Sequence, residues 1–366
     1  MTQTQDTTPS ATKPSPAEIR QAKIDNAKMR DRDLADKLGI SEADLVAAHV
    51  GRRDGDIVTR INPHPDQLMP LVSTLGEVMA LTRNLSAVHE RVGTYGDYRS
   101  GPHAAMVLGH EIDLRIFPKH WVHGFAIDQV TEAGTRRTLQ IFDAAGDAVH
   151  KIFLRETSNH DAWAEVVAAL AVEDQSEGIE TTPAAPIEPA KQNPAKRDVL
   201  LEEWGKLTDT HQFMRLTSKL GMNRLGAYRL VAGEKWVRPL ETSAVETLIN
   251  TASEAGQRTI LFVGNPGNIQ IHWGRLDTIK PMGPWVNVLD KRFNLHLRND
   301  HVAEVYAIEK PTKRGPAISL EAFDDRGMLI LQIFGMRDPN NDSDDLASWH
   351  QLIADLPSLQ TEEAPA

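Results

Sequence analysis

His211 is the residue whose type and position in this chain best suit a metal ligand. The sequence contains no cysteine, so disulfides, thiolate catalysis and cysteine-based zinc or iron–sulfur sites are excluded. His211 lies in the segment LTDTHQFMRLTSKLG, where a helix is predicted to begin at Thr208 or Asp209. The positive end of a helix dipole favours neutral imidazole, the form that binds metals. The alternative is a surface histidine at a helix end without a ligand role.

Arg115 is the second candidate, because it lies on a predicted strand with one polar and one apolar face. In the segment IDLRIF, residues 112–117, alternation places Asp113, Arg115 and Phe117 on one side. Ile112, Leu114 and Ile116, on the other side, are expected to be core. The guanidinium then points to solvent, to a cleft or to Asp113. A surface arginine paired with a neighbouring acid is the alternative interpretation.

The two halves of the chain repeat each other, on either side of a linker at 173–198 that is rich in proline, alanine and glutamate. The candidate residues do not repeat, since His211 aligns with Met29 and Arg115 with His296. The positions that do match include Asn84 with Asn265, Gly93 with Gly274, Leu114 with Leu295, His120 with His301, Phe142 with Phe323, Gly146 with Gly327 and Trp163 with Trp349.

The other histidines carry weaker signals. His120 and His301 occupy one repeat position, so we expect them to serve the fold in both halves. No metal-ligand spacing, zinc-protease motif, P-loop or dinucleotide-binding glycine motif is present in the sequence. The histidines without such spacing are His89, His103, His110, His123 and His272.

The order of predicted elements is the same in each half: helices, a run of antiparallel strands, then a closing helix that holds Trp163 or Trp349. This order predicts an α+β fold with tandem structural duplication. The predicted organisation is a disordered tail at 1–15, a first repeat at 16–172, the linker at 173–198, a second repeat at 199–358 and a tail at 359–366. A cleft between the copies is a natural ligand site.

Charge and hydropathy argue against two classes of protein, general nucleic-acid binders and membrane-embedded proteins. The 366 residues carry a net charge of −11, whereas a general nucleic-acid binder carries a basic surface. The polar N-terminal segment lacks the apolar stretch of a signal peptide, and no run approaches the ~18 apolar residues of a membrane helix. We therefore expect a cytoplasmic protein that is not embedded in a membrane and binds no nucleic acid.

Several segments, taken in order, resemble the hemin-degrading or haem-utilisation family of bacterial cytoplasmic proteins (HemS/ChuS-like). The resemblance covers about residues 16–358 and depends on order and spacing, because none of its segments is a universal motif. The segments that carry it are RDLADKLGISEADLVAA, TRNLSAVHERVGTY, LGHEIDLRIFPKHW, TDTHQFMRL, AIEKPTKRG and LQIFGMRDP.

The resemblance implies that haem b binds between the two repeats. His211 of the second repeat would be the axial ligand of the iron. Arg115 of the first repeat would lie on the distal side, where it could hydrogen-bond a bound water, hydroxide or O₂. Arg224 and Lys310 occupy positions where the family places basic residues, which would bind the haem propionates. Surface charge is the alternative for both, and substitutes are Arg229, Lys313, Arg314 and Arg337.

Three functions follow from this interpretation. The first is oxidative degradation of haem to release iron, with an external electron donor and O₂, and with Arg115 as the catalytic residue. The second is a carrier that accepts haem from an importer's cytoplasmic side and passes it to a separate haem oxygenase. The third is a repeat-built scaffold that binds no haem. A reductase is a further partner if the protein is an enzyme.

Overall fold

The computed structural model describes residues 13–52, 55–336 and 344–359. Most of the tails predicted at 1–15 and 359–366 lies outside the described residues, and so does Arg337.

Three α-helices open each half in the described residues, but a strand then comes before the next helix, at Ile57–Ile61 in the first half and at Val237–Leu240 in the second, so the predicted order of helices before strands holds only in part. Ser15 and Ser41 each accept a bond from the backbone N–H three residues on and close a reciprocal cap with the acid at that position. The first predicted helix is divided, because the Asn26 side chain binds the Ala22 carbonyl at 2.7 Å and ends it. The helices are α1 (Pro16–Asp25), α2 (Asp31–Leu38), α3 (Glu42–Ala47), α4 (Pro65–Val72), α5 (Trp163–Leu170), α6 (Arg197–Gly205), α7 (Gln212–Lys219), α8 (Arg224–Leu230), α9 (Ala244–Glu254) and α10 (Asp344–Ala354).

The strands form two antiparallel sheets. In the first half they are β1 (Ile57–Ile61), β2 (Gly76–Arg83), β3 (Ala87–Gly93), β4 (Asp97–Arg99), β5 (Ala105–Leu108), β6 (Asp113–Ile116), β7 (His123–Thr131), β8 (Gly134–Phe142) and β9 (Ala148–Ser158). In the second half they are β10 (Val237–Leu240), β11 (Thr259–Asn265), β12 (Asn268–Gly274), β13 (Ile279–Met282), β14 (Trp285–Leu289), β15 (Phe293–Arg298), β16 (Glu304–Lys310), β17 (Ala317–Phe323) and β18 (Leu329–Gly335).

Each sheet is completed by three strands from the other half of the chain. In the described residues the first sheet runs β1-β7-β8-β9-β2-β3-β15-β14-β13, and the second runs β10-β16-β17-β18-β11-β12-β6-β5-β4. The two orders correspond strand for strand, which confirms the duplicated α+β fold. The repeat boundaries predicted at 16–172 and 199–358 follow the sequence repeat, whereas the sheets cross them. The exchange carries β6, and with it Arg115, onto the second sheet.

The cores lie between the sheets and under the helices. Leu114 and Ile116 of β6 pack with Ile152 of the first sheet and with α4 and α5. In the same way, Leu295 and Leu297 of β15 pack with the second sheet and with α9 and α10. Trp163 and Trp349 are buried in these two cores, as expected for residues that close each repeat. Burial of these apolar faces is the main driving force for the exchanged arrangement.

A matched pair of asparagines joins the halves. The Asn84 amide donates to the carbonyls of Gly264 (3.1 Å) and Ile330 (2.8 Å). Its repeat partner Asn265 donates to the carbonyls of Arg83 and Val149, both at 2.9 Å. These bonds satisfy backbone groups where the two sheets meet, so the repeated asparagines serve the fold in both copies.

The linker at 173–198 lacks strands and is bonded to both halves. The Gly178 N–H donates to the Ala47 carbonyl at 3.1 Å, and the Thr182 N–H donates to the Ala144 carbonyl at 2.8 Å. Near its end, the Lys191 N–H donates to the Asn223 side chain at 2.9 Å. The linker therefore follows a defined path from the first half to the start of α8.

Candidate functional site

His211 lies at the start of α7, in a turn fixed by hydrogen bonds. The Asp209 carboxylate accepts from the His211 backbone N–H at 2.8 Å, and its Oδ1 lies 2.7 Å from Nδ1 of the ring. A carboxylate only accepts hydrogen bonds, so Nδ1 is the donor, and this contact selects the tautomer in which Nε2 has the lone pair. The bond from the His211 backbone, followed by that from its ring, lowers the pKa of Asp209. The helix predicted from Thr208 or Asp209 begins instead at Gln212, because this turn occupies its first positions.

The base of α7 is anchored in an aromatic cluster. Phe213 is 1% exposed, and its ring centroid lies 4.5 Å from that of Trp204 and 5.5 Å from that of Tyr228. The His211 side chain, by contrast, is 92% exposed. The imidazole thus projects from a fixed helix end with its Nε2 edge available to a ligand.

Arg115 lies on β6, and the structure places it in the second sheet. Its guanidinium pairs with Asp113 on the same strand and donates to the Leu114 carbonyl at 3.0 Å. Asp113 also accepts from the indole N–H of Trp273 at 2.9 Å. About a third of the Arg115 side chain, 31%, remains exposed, so the guanidinium is held in place while part of it stays accessible.

One face of the second sheet carries Arg115 together with a row of apolar side chains. Residues directly opposite each other in antiparallel strands point to the same side. Arg115 lies opposite Ile269 on one neighbouring strand and opposite Met106 on the other. From Ile269, the strand register and the alternation of side chains show which residues share this side of the sheet, as far as Lys310 of β16. We call it the outer face. Its further members are Ile260, Phe262, Ile271, Trp273, Glu321, Gln332 and Phe334.

The outer face is mostly half-buried, which distinguishes it from the closed core on the opposite side of the sheet. Phe262 and Phe334 meet edge to face, with ring centroids 5.6 Å apart. Trp273 is 36% exposed. Among the described residues, helices α6, α7 and α8 cover the face only near β16 and β17, where Phe213 and Tyr228 pack with Phe323 and Ile308. The uncovered part is an apolar surface with Arg115 on it.

Arg224 and Lys310 meet at a buried acid. Glu321 is fully buried, accepting from Arg224 at 3.0 Å, from Lys310 at 2.8 Å and from the Tyr228 hydroxyl at 3.0 Å. Burial acts to raise the pKa of Glu321, but the charges of Lys310 and Arg224 outweigh it and lower the pKa to about 2. Burial lowers the pKa of Lys310, whose ammonium also lies 5.0 Å from the Phe213 ring centroid. This network ties α8 to the outer face.

The two residues predicted to bind the propionates, Lys310 and Arg224, therefore differ in how accessible their side chains are to a ligand. Lys310 is 4% exposed, and its ammonium is bonded to Glu321 and to the Tyr228 hydroxyl. The Arg224 side chain is 23% exposed, and its second terminal nitrogen lies 3.5 Å from the Met214 sulfur. Among the substitutes, Arg229 is paired with Glu304, while Lys313 and Arg314 lie on the loop after β16. Arg224 is the better placed of the two predicted residues.

Two cavities lie away from these four residues. A cleft of about 1540 Å³ separates α1 and α2 from the first sheet and is lined by charges of both signs, including Arg83, Arg136 and Glu42. A second cavity of about 410 Å³ adjoins it and is lined by both halves and by linker residues 184, 185 and 187. Neither His211, Arg115, Arg224 nor Lys310 lines either cavity.

Two other features, a cluster of metal-binding side chains and a membrane-spanning helix, are absent from the described residues. Within them no group of three or more histidine or acidic side chains is arranged to hold a metal ion. No helix in the same ranges has the length and hydropathy that a bilayer crossing requires.

Sequence reasoning proposed His211 and Arg115 as site residues but did not identify the residues that hold them and their surroundings in place. Asp209 stands two residues before His211 in TDTH, a spacing typical of a side-chain turn before a helix. Glu321 gives no such signal, because only the folded structure brings Lys310 of β16 and Arg224 of α8 to its carboxylate. Phe262 and Phe334 belong to predicted strands, yet their shared face becomes visible only once the strands are paired.

The fold and both repeats match known proteins. A family model described as the haemin-degrading HemS.ChuX domain matches residues 39–170 and 221–356. The hemin transport protein HemS of Yersinia enterocolitica is 34% identical over 338 residues, which cover 92% of this chain and 95% of that protein. The structure of holo-PhuS, a heme-binding protein from Pseudomonas aeruginosa, is similar with a TM-score of 0.87 and 37% identity, covering 94% of this chain and 100% of that one.

A second solved structure, the heme degrading enzyme ChuS of Escherichia coli O157:H7, has a TM-score of 0.81 and 29% identity, covering 92% of this chain and 97% of that one. The resemblance stated from the sequence is confirmed, and the double match of one domain model agrees with the duplicated fold. The chain belongs to the family of haemin-degrading HemS.ChuX domain proteins.

Proposed function

We propose that this protein binds haem at the outer face of the second sheet, as part of haem-iron utilisation, with His211 as the axial ligand of the iron. The observation that carries the proposal is the geometry of His211, whose Nδ1 is held by Asp209 while Nε2 remains free on a fixed helix end. Arg115 comes from the first half of the chain, so a ligand that meets both residues contacts both repeats.

The residues present fit haem better than a bare metal ion. A single imidazole is a weak site for a free cation, but it suffices when a porphyrin supplies four further nitrogens. The porphyrin plane needs an apolar surface, which Phe262, Phe334 and Ile269 of the outer face offer. Its propionates need cations, and Arg224 is the proposed partner with Lys310 behind it.

We propose oxidative degradation of the bound haem as the activity. An external electron donor would reduce the iron, and O₂ would oxidise and open the ring, releasing the iron. Arg115 is the proposed catalytic residue, because its guanidinium is positioned by Asp113 and keeps accessible N–H donors for a distal oxygen ligand. The description of ChuS as a heme degrading enzyme supports this activity.

Haem carriage is the second candidate, favoured by the 92% exposure of the His211 side chain. A ligand at the surface can be exchanged directly with an acceptor, and the relative HemS is described as a hemin transport protein. The partners would then be the cytoplasmic side of an importer and a separate haem oxygenase. A cytoplasmic location suits both candidates, and a reductase suits the first.

Hemin titration followed by reduction tests the proposal. Binding should give a Soret band, and His211→Ala should weaken hemin affinity by about tenfold or more, or change its spectrum, because an axial bond is lost. His64→Ala is the matched control, since His64 is also an exposed histidine at a helix start but lies in the first half. An unchanged spectrum and affinity in His211→Ala would refute the ligand assignment.

Addition of ascorbate or a reductase with O₂, in the presence of catalase, then separates the two activities. Loss of the Soret band with release of iron supports degradation. A stable complex that transfers intact haem to an acceptor supports carriage. If the titration showed no haem binding, the remaining interpretation would be a repeat-built scaffold that binds no haem.

A further inference from the structure

The turn before α7 is fixed from three directions. The Thr208 N–H donates to the Gln212 side-chain oxygen at 2.9 Å, and the Gln212 amide donates back to the Thr208 hydroxyl at 3.2 Å. The Thr208 carbonyl accepts from the Lys313 backbone N–H at 3.1 Å, which ties the turn to the loop between β16 and β17. Together with buried Phe213, these bonds fix the backbone that carries Asp209 and His211.

Asp209 makes two bonds to the same residue. One goes to the His211 backbone N–H at 2.8 Å and the other to its ring Nδ1 at 2.7 Å. The backbone bond fixes the turn, and a serine or asparagine side chain would serve that purpose equally. The ring bond has a different effect, because it fixes the tautomer and rotation of the imidazole and places a full negative charge against its N–H edge.

We propose that Asp209 is a positioning residue for the axial ligand: its carboxylate holds His211 with Nε2 toward the iron and increases electron donation from the imidazole. This inference rests on the proposed function, since it requires His211 to bind haem. Carboxylates that accept from the outer N–H of a metal-bound histidine orient the ring and raise its basicity. Stronger donation favours ferric over ferrous iron, so Asp209 lowers the reduction potential of the bound haem.

Asp209→Asn separates this role from a purely structural one. The amide oxygen of asparagine still accepts from the backbone N–H, so the turn is kept, while the negative charge is lost. We expect hemin affinity to fall by roughly tenfold, the lower end of the usual effect of such partners. The haem midpoint potential should rise, and the iron–histidine stretching band of the ferrous form should move to lower frequency in resonance Raman spectra.

Asp209→Glu keeps the charge and should restore the potential and the stretching frequency toward those of the original protein. Asp198→Asn is the matched control, because Asp198 is an exposed acid on neighbouring α6 and its removal changes the net charge by the same amount. It should leave all three measurements unchanged.

The possible outcomes distinguish this inference from the proposed function. If His211→Ala abolishes the histidine-ligated spectrum while Asp209→Asn leaves affinity, potential and stretching frequency unchanged, the positioning role is wrong and the ligand assignment stands. If His211→Ala has no effect on the haem spectrum, the proposed function fails first, and the role of Asp209 fails with it.

Discussion

Buried histidines between the two sheets should make the protein sensitive to mild acid. His150 of β9 and His272 of β12 are 1% and 3% exposed, and burial lowers the pKa of each to about 3. His150 is bonded to the Tyr95 hydroxyl at 2.6 Å and to the Thr82 hydroxyl at 3.0 Å. His89 is also fully buried, with its pKa well below the ordinary value and neither ring nitrogen bonded.

The sign of the effect follows from proton binding. In the unfolded chain these rings take up protons as the pH falls through about 6.5, whereas in the folded protein they stay neutral until about pH 3. The unfolded state therefore binds more protons in this window, so stability is fully present above about pH 7.5 and falls with decreasing pH. At pH 5, 1.5 units below the unfolded value, each ring costs about 2 kcal/mol of the free energy of unfolding.

For His150 and His272 together the loss is about 4 kcal/mol, a large share of the ~5–15 kcal/mol that holds a typical domain. Denaturant unfolding followed by tryptophan fluorescence at pH 7.5, 6.5, 6.0, 5.5 and 5.0 measures it. Between pH 6 and 5 the rings of His150 and His272 together give an expected slope of about 2.4 kcal/mol per pH unit, and His89 adds to it in the same direction.

His150→Gln should lower stability at neutral pH but reduce that slope by about 1.2 kcal/mol per pH unit, because one titrating ring is gone. His64→Gln, which changes an exposed histidine, should leave the slope unaltered. A free energy of unfolding that changes by less than about 1 kcal/mol between pH 7.5 and pH 5 would refute the reasoning.

Three further substitutions test the fold and the site. Arg115→Ala should perturb the ferric-water or oxy spectrum more than hemin affinity, and equal loss of both would assign Arg115 a structural role. Glu321→Gln should cost about 3 kcal/mol in denaturant unfolding, because it leaves the buried Lys310 ammonium without its counter-charge; a loss below about 1 kcal/mol would contradict the ion network. Asn84→Ala should cost about 2 to 4 kcal/mol, because two carbonyls and two N–H groups lose their partner; retention of the original midpoint would show that water replaces these bonds.

The sequence predicted the elements whose side chains alternate regularly. The strand of Arg115 was predicted correctly because apolar and polar positions alternate along it. Strands β3 and β12 were missed, because their inner faces carry buried polar residues, including His89 and Gln270, where the pattern requires apolar ones. Gln270 of β12 finds its partners on the other sheet, since its side-chain oxygen accepts from the Thr82 hydroxyl at 2.7 Å and its amide donates to the Ala80 carbonyl at 3.0 Å.

The exchange of strands was beyond prediction for a different reason. Alternation states which face of a strand is buried but not which strand lies beside it. Nothing in IDLRIF indicates that β6 pairs with β12, 150 residues further along the chain. The same limit applies to Lys310 and Arg224, which were expected to be surface cations or propionate ligands. Their common partner Glu321 becomes apparent only when α8 is packed on the sheet.

The exchanged strands also bear on how the two copies acquired different residues. Two separate identical chains that completed each other's sheets would form a symmetric dimer, in which any substitution appears twice. A covalent tether removes that constraint, because a change in one copy leaves the other unaltered. Met29 and His211 occupy equivalent places, and so do His296 and Arg115. In such a tethered molecule, the flank that carries the proposed iron ligand can differ from its counterpart, where a wide groove is lined by charges of both signs.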